Sequence, residues 1–277
     1  MKRPCAMLLA LALCLSVLGV LADLDPFPSK GTALTASQAE EAFTKWFLDN
    51  GGFMQGVTLA DFGHMGRGFA ATKALQDSEK VLQIPHHLIF STRNMPRHLE
   101  PAVVRILEKL EDQDVALCTW LLIEKIKPHS FFQPYLDVLP AYVPSLLHYS
   151  EPELAELQNA ELEAEARDMQ RHTRLDYATF LTAFRQIQDL ARDDDDSADL
   201  ADLFDSITLG QFEWAASMFN SRGLRFQGPV FMAPMADIFN YDPHPAARPS
   251  SGGDFFAQHH LLDEGGISIL ADRTHTE

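Results

Sequence analysis

QFEWAASMFNSRGLRFQGPVFMAPMADIFNY, residues 211–241, is the stretch from which the rest of the chain is best read. Phe212, Ala215, Ala216 and Phe219 recur at the i, i+3, i+4, i+7 spacing of one apolar helix face. Arg222 follows one turn after Met218, and Gly223 predicts the helix stop. Residues 229–232 predict a short buried strand closed by Pro234, and residues 235–241 then bring in Asp237 and Asn240. Taken singly, Arg222 is a helix-terminal cation, Asp237 an N-cap and Asn240 a turn residue. Together they set one cation, one carboxylate and one amide close to each other within an apolar frame.

Upstream, Ser37 with Glu40 three residues on predicts a helix start. Phe43, Trp46 and Phe47 supply its apolar face, and Asn50-Gly51-Gly52 its end. Residues 57–62, 69–75 and 81–84 predict short strands in a small antiparallel sheet, separated by turn residues. Gly66-Arg67-Gly68 falls in the first of these turns, where two glycines allow positive φ and close approach of backbone to a ligand. A plain hairpin turn is the alternative. Residues 95–207 read as helical, with stripes such as Val103, Ile106, Leu107 and Leu110. Within them SFFQPYLDVLP, residues 130–140, predicts packing of aromatics under a Pro-bounded loop rather than chemistry. The helical segments expected next are 151–165 and 177–191, with the acidic run 193–196 as a surface loop. Residues 254–262 and 267–271 predict two strands of a terminal hairpin.

The chain has 277 residues, 46% of them hydrophobic, which is enough for a sizeable core. A formal net charge of −17 argues against a nucleic-acid surface, which needs a basic patch. An acidic protein suits a basic partner, though most acidic residues simply solvate the surface. Lys2-Arg3, the apolar run 7–20 and Val20-Leu21-Ala22 predict a signal peptide cleaved after Ala22. An uncleaved anchor is the alternative, and no other run is long enough to cross a bilayer. The leader implies the secretory pathway, with the ER or secretion as destination; in organisms with complex plastids that route also leads to the plastid. Cleavage removes Cys5 and Cys14 and leaves Cys118 as a buried thiol, so the fold is not held by disulfides. Zinc-ligand spacing is absent, as are the G-x-S-x-G, H-E-x-x-H and P-loop strings. No metal site is expected.

Three strings, in order, resemble one family. F-x-x-W-F-x-x-N-G-G with the G-x-G turn and I-P comes first. S-F-F-Q-P-Y-L-D-V-L-P follows, and then W-A-x-S-x-x-x-S-R with P-x-A-D-x-x-N-Y. They resemble the SET-domain protein methyltransferases, in the branch of the Rubisco large-subunit lysine methyltransferase, over roughly residues 43–277. The resemblance implies an α+β fold in which the small β-sheets of a SET domain are split by a large helical insertion. The implied division is a signal peptide at 1–22, the first part of the SET domain at 23–94, the insertion at 95–210 and the second part at 211–277. It implies S-adenosyl-L-methionine as cofactor, bound by Met65, Gly66, Arg67, Arg222, Asp237, Ile238, Phe239, Asn240 and Tyr241. Family members often carry an acidic residue at the position of Met65 and usually His at that of Tyr241; both contacts are largely through main chain.

The implied activity is N-methylation of a lysine in a protein substrate. Such transfer is an in-line displacement that needs a neutral amine, and desolvation lowers the lysine pKa toward that state. The actin-histidine branch has Asn two residues after the Arg, where this chain has Leu224, which favours lysine as acceptor. The family's catalytic Tyr, in a Y-G motif, and its helical substrate-binding domain do not occur before Glu277. The catalytic residue is therefore unassigned, and the expectation is a fragment, an incomplete gene model or a pseudoenzyme. A non-catalytic SET-like protein-binding module is the alternative function, and a helical secreted interaction protein is the third.

Overall fold

A computed structural model describes residues 26–27, 34–63, 66–192, 207–224, 230–240, 259–262 and 266–271. The expected leader at 1–22, the acidic run at 193–196 and the start of the expected strand at 254 lie outside these. Helix α1, Ala36–Asp49, begins two residues before the expected start. Thr35 caps it: the Gln38 N–H donates to Thr35 Oγ1, and the Thr35 N–H to Gln38 Oε1 at 3.0 Å. Gln closes this reciprocal box as well as Glu does, and Ala39 joins Phe43, Trp46 and Phe47 in the buried face.

The strands are short and antiparallel, as alternating apolar runs between turn residues dictate. β1, Phe53–Met54, pairs with β4, Lys80–Pro85. β2, Val57–Asp61, and β3, Arg67–Ala71, form a separate hairpin in which Asp61 faces Arg67. β3 starts earlier and ends earlier than residues 69–75 suggest, because the register with β2 exhausts its partner at Ala71. β5, His259–Leu262, and β6, Gly266–Leu270, close the larger sheet in the order β1-β4-β6-β5.

Between the sheet elements lies helical chain. α2, Pro101–Leu107, and α3, Gln113–Ile126, are followed by the single turn α4, Gln133–Leu136. α5, Glu151–Glu156, is short, and α6, Ala160–Arg192, runs for 33 residues. The sequence suggests two helices at 151–165 and 177–191. The break instead falls at Gln158, with φ +49°, and Asn159, whose Oδ1 accepts from the Glu161 N–H at 3.0 Å. After that cap the chain to Arg192 holds no Gly or Pro to stop a helix. Among the described residues no helix is long and apolar enough to cross a membrane.

α7, Leu209–Arg222, starts at Thr208 with a second capping box, closed by Gln211. Phe212, Ala215 and Phe219 are buried as their spacing predicts, and Trp214, Ser217 and Met218 are buried beside them, because α3 and α6 both pack on this helix. The expected strand at 229–232 is reduced to two isolated bridges, Phe231 to Leu224 and Met232 to Phe90; residue 229 is not described. Phe90, Trp120, Phe132 and Tyr135 are fully buried at the centre, with the Phe90 and Phe132 rings 4.2 Å apart. Cys118 is a buried thiol, and burial pushes it far above its ordinary pKa.

Candidate functional site

Four segments converge on one cleft of about 420 Å³, within the roughly 300–1,000 Å³ usual for small-molecule sites. The β2–β3 hairpin supplies Gly66 and Arg67, α7 ends in Ser221 and Arg222, and the turn at 236–238 supplies Asp237 and Ile238, followed by Phe239 and Asn240. The fourth segment, α4 with its following loop, supplies Tyr135, Val138, Leu139 and Pro140, with Tyr142, Val143 and Pro144 beyond. Of the nine residues the sequence nominates, seven line this cleft: Gly66, Arg67, Arg222, Asp237, Ile238, Phe239 and Asn240. Met65 and Tyr241 lie outside the described residues.

Gly66 takes φ +70°, as the turn reading requires. Gly68 does not; it sits in β3, and a Cβ there would stand 2.5 Å from Asn240 Nδ2. That second glycine therefore lets the strand approach Asn240, a close contact rather than a turn requirement. Next to it the Phe69 ring packs at a tilt against Phe239 with centroids 4.6 Å apart. Arg67 donates from Nη2 to the Val138 carbonyl at 3.0 Å and pairs through Nε with Glu40 at 3.3 Å. Its side chain thus ties the hairpin to α1 and to the loop after α4. That loop is held in turn by α7, where Trp214 Nε1 donates to the Pro140 carbonyl at 3.0 Å.

The floor is a buried polar triad. Arg222 Nη1 donates to the Asp237 carbonyl at 3.1 Å and reaches the Asp237 carboxylate at 3.5 Å. The Tyr135 hydroxyl donates to Asp237 Oδ2 at 2.7 Å. The Asp237 side chain is fully buried, whereas Arg222 keeps partial exposure toward the cleft. Burial pushes the Asp237 carboxyl above its ordinary value, against the opposing pull of the Arg222 charge and the Tyr135 hydrogen bond. Burial foremost, then the Asp237 charge, holds the Tyr135 phenol well above its ordinary range, so it remains a donor. Asp237 is not the N-cap of the turn: Met235, whose backbone sits at φ +73° and ψ −45°, occupies that position. This is a sparsely populated conformation, and the fully buried Met235 side chain pins it.

Tyr135 is the residue that sequence reading assigns to packing and the structure places in the site. Its string gave a signal, a Tyr in an apolar Pro-bounded run, but no clue that its partner lies 102 residues on. Glu40, which the sequence suggests only as a capping residue, pairs instead with Arg67.

Two buried polar atoms of the triad, Arg222 Nε and Asp237 Oδ1, have no hydrogen-bond partner. A cleft with a mixed polar and apolar lining and a partly exposed guanidinium fits a small ligand that carries an anionic group beside an apolar portion. A larger cleft, of about 620 Å³ between α3, α6 and α7, holds none of the nominated residues. It gathers Asp112, Asp114 and Asp176, and burial, with Asp112 nearby, pushes the Asp176 carboxyl up. Among the described residues no group of His, Cys, Asp or Glu has the arrangement of a metal site.

No family model matches the chain. By sequence it is 28% identical over 205 residues to the actin-histidine N-methyltransferases of Homo sapiens and Callithrix jacchus. The match takes in 70% of this chain but 32% of each relative, so the chain spans about a third of the length of the curated relatives it matches. By structure it superposes on the SET domain of LSMT bound to lysine and AdoHcy with a TM-score of 0.69 at 19% identity, over 88% of this chain and 52% of that one. Rubisco LSMT bound to AdoMet gives 0.67 at 21% identity, over 86% and 50%. Small antiparallel sheets, the long helical stretch between them and these superpositions together give the chain the α+β fold of a SET domain.

Proposed function

We propose that this chain carries the S-adenosyl-L-methionine site of a SET-type protein methyltransferase whose acceptor is a lysine in a protein substrate. The observation that carries the reading is the convergence of residues 66–67, 222 and 237–240 on one cleft. Bound there, S-adenosylmethionine would supply an electrophilic sulfonium methyl. Arg222 offers a fixed cation for the ligand's carboxylate. Asp237 holds Arg222 in place, Asn240 offers an amide at the mouth, and Ile238, Phe239 and Val138 exclude water from the apolar portion. The sequence matches support a protein substrate. The choice of lysine rests on the resemblance alone: the actin-histidine branch carries Asn where this chain has Leu224, an apolar, half-buried residue bridged to Phe231 that lines the larger cleft, whereas the relatives matched by sequence are actin-histidine N-methyltransferases. Secretory routing through the leader belongs to the same proposal.

Calorimetry of S-adenosylmethionine binding to residues 23–277 tests the site. Micromolar binding is expected, with Asn240→Ala weakening it about tenfold through the loss of one hydrogen bond at the mouth of the cleft. Methyl transfer to lysine and histidine peptides tests the acceptor. Transfer to histidine alone would remove lysine from the proposal. Binding without any transfer would favour the non-catalytic protein-binding module.

A further inference from the structure

The Tyr135 ring packs against Phe43 and Phe90, with centroids 5.7 and 6.1 Å away. A phenylalanine would fill that space with no polar atom to satisfy. The hydroxyl instead makes the shortest contact to the Asp237 side chain, 2.7 Å against 3.5 Å from Arg222. Oδ1 has no partner, so the carboxylate is held on one side, and chiefly by the phenol. Arg222 in turn takes its orientation from Asp237, through the carbonyl and the carboxylate. The chain of contacts runs from α4 in the helical stretch to the guanidinium at the cleft.

We propose that Tyr135 is a positioning residue for this cleft: its hydroxyl fixes the Asp237 carboxylate and, through it, Arg222, so that α4 sets the affinity for the ligand's charged end. This rests on the reading of the cleft as an S-adenosylmethionine site. The charged and titratable groups facing Asp237 are Tyr135 from α4 and Arg222 from α7. Arg67 from β3, paired with Glu40, and Tyr142 stand on the same cleft.

The test is calorimetric S-adenosylmethionine binding by the full chain and its Tyr135→Phe variant, from about pH 5 to about pH 8. The variant keeps the ring, so its thermal midpoint should stay within about 4 °C of the parent. Its affinity should fall about tenfold. With the donor gone, the Asp237 carboxyl keeps its proton to higher pH, so affinity should fail on acidification about one pH unit earlier than in the parent. Adding Asp237→Asn should abolish the difference between Tyr and Phe at position 135. Equal affinity and an equal pH profile for Tyr135→Phe would overturn the proposal, as would an undiminished effect in the Asp237→Asn background. Should Tyr135→Phe fail to fold, 3-fluorotyrosine at position 135, a stronger donor of the same shape, must move the acid threshold to lower pH; an unmoved threshold overturns the idea equally. A parent chain that binds no S-adenosylmethionine at any pH sinks the functional reading itself, whereas parent binding with an indifferent Tyr135→Phe sinks only the positioning role.

Discussion

Asp237 is placed where an ionised carboxylate is costly to hold. Its side chain has no exposure, one oxygen lacks a partner, and the Arg222 contact is long. Burial therefore outweighs the ion pair, and the folded carboxyl titrates above its ordinary 3.8. A carboxyl whose folded pKa is raised contributes its full stability below the unfolded value and loses it as pH rises through the folded value. We expect the thermal midpoint of the parent, relative to Asp237→Asn, to fall as pH rises from about 4 toward neutrality. A parent that gains on the variant over that range would mean the Arg222 ion pair is the larger effect. The group that serves the site is thus one that the fold would be steadier without, a common cost of function. The family resemblance nominated Asp237, Arg222 and Asn240, and it could do so because all three lie within one local stretch, a helix followed by a turn. It missed the role of Tyr135, because a hydroxyl's partner across 102 residues leaves no local pattern.

Among the elements, α7 does most to place the site. Its start is fixed by Thr208 and Gln211: the Gln211 N–H donates to Thr208 Oγ1 at 3.3 Å, and the Thr208 N–H to Gln211 Oε1 at 2.9 Å. Gln211 Nε2 also donates to the Pro26 carbonyl at 3.1 Å, and Phe27 lies edge-on to Trp214 with centroids 5.0 Å apart. The N-terminal chain is thereby clipped to the same helix that ends in Arg222. Thr208→Ala should cost about 1 kcal/mol of stability in denaturant melts, the usual loss for an N-cap, with Arg222 still in place. A loss near zero would mean that burial of α7, not its cap, sets where the helix begins. Helix existence and the buried face of α7 were legible from period 3.6. The length of α6 was not, since two amphipathic runs with no Gly or Pro between them read equally as two helices or one. Strand 229–232 was over-read because a short apolar run says nothing about whether a partner strand is available to it.

At the scale of the molecule, the four-stranded sheet joins chain segments that are remote in sequence. β4 is flanked by β1, which precedes it closely, and by β6. Pro85 lies opposite Gly266, and a Cβ at Gly266 would stand 1.7 Å from the Ile84 carbonyl oxygen. Gly266→Ala should therefore cost on the order of 3 kcal/mol or more, or prevent folding, as read by urea midpoint. An unchanged midpoint would show that the β4–β6 pairing can slide without loss. That β6 sits between β4 and β5 also has a consequence for synthesis. Lys80–Pro85 emerges from the ribosome long before its partner Gly266–Leu270, with about 180 residues still to be translated. At roughly 5–20 residues per second, the nascent β4 presents an open edge for about 10–40 s. The backbone groups of β4 that pair with Gly266–Leu270 stay without those partners for that interval. Nascent-chain yield should thus depend on holding factors at the tunnel exit and on translation speed, even where the finished fold is stable.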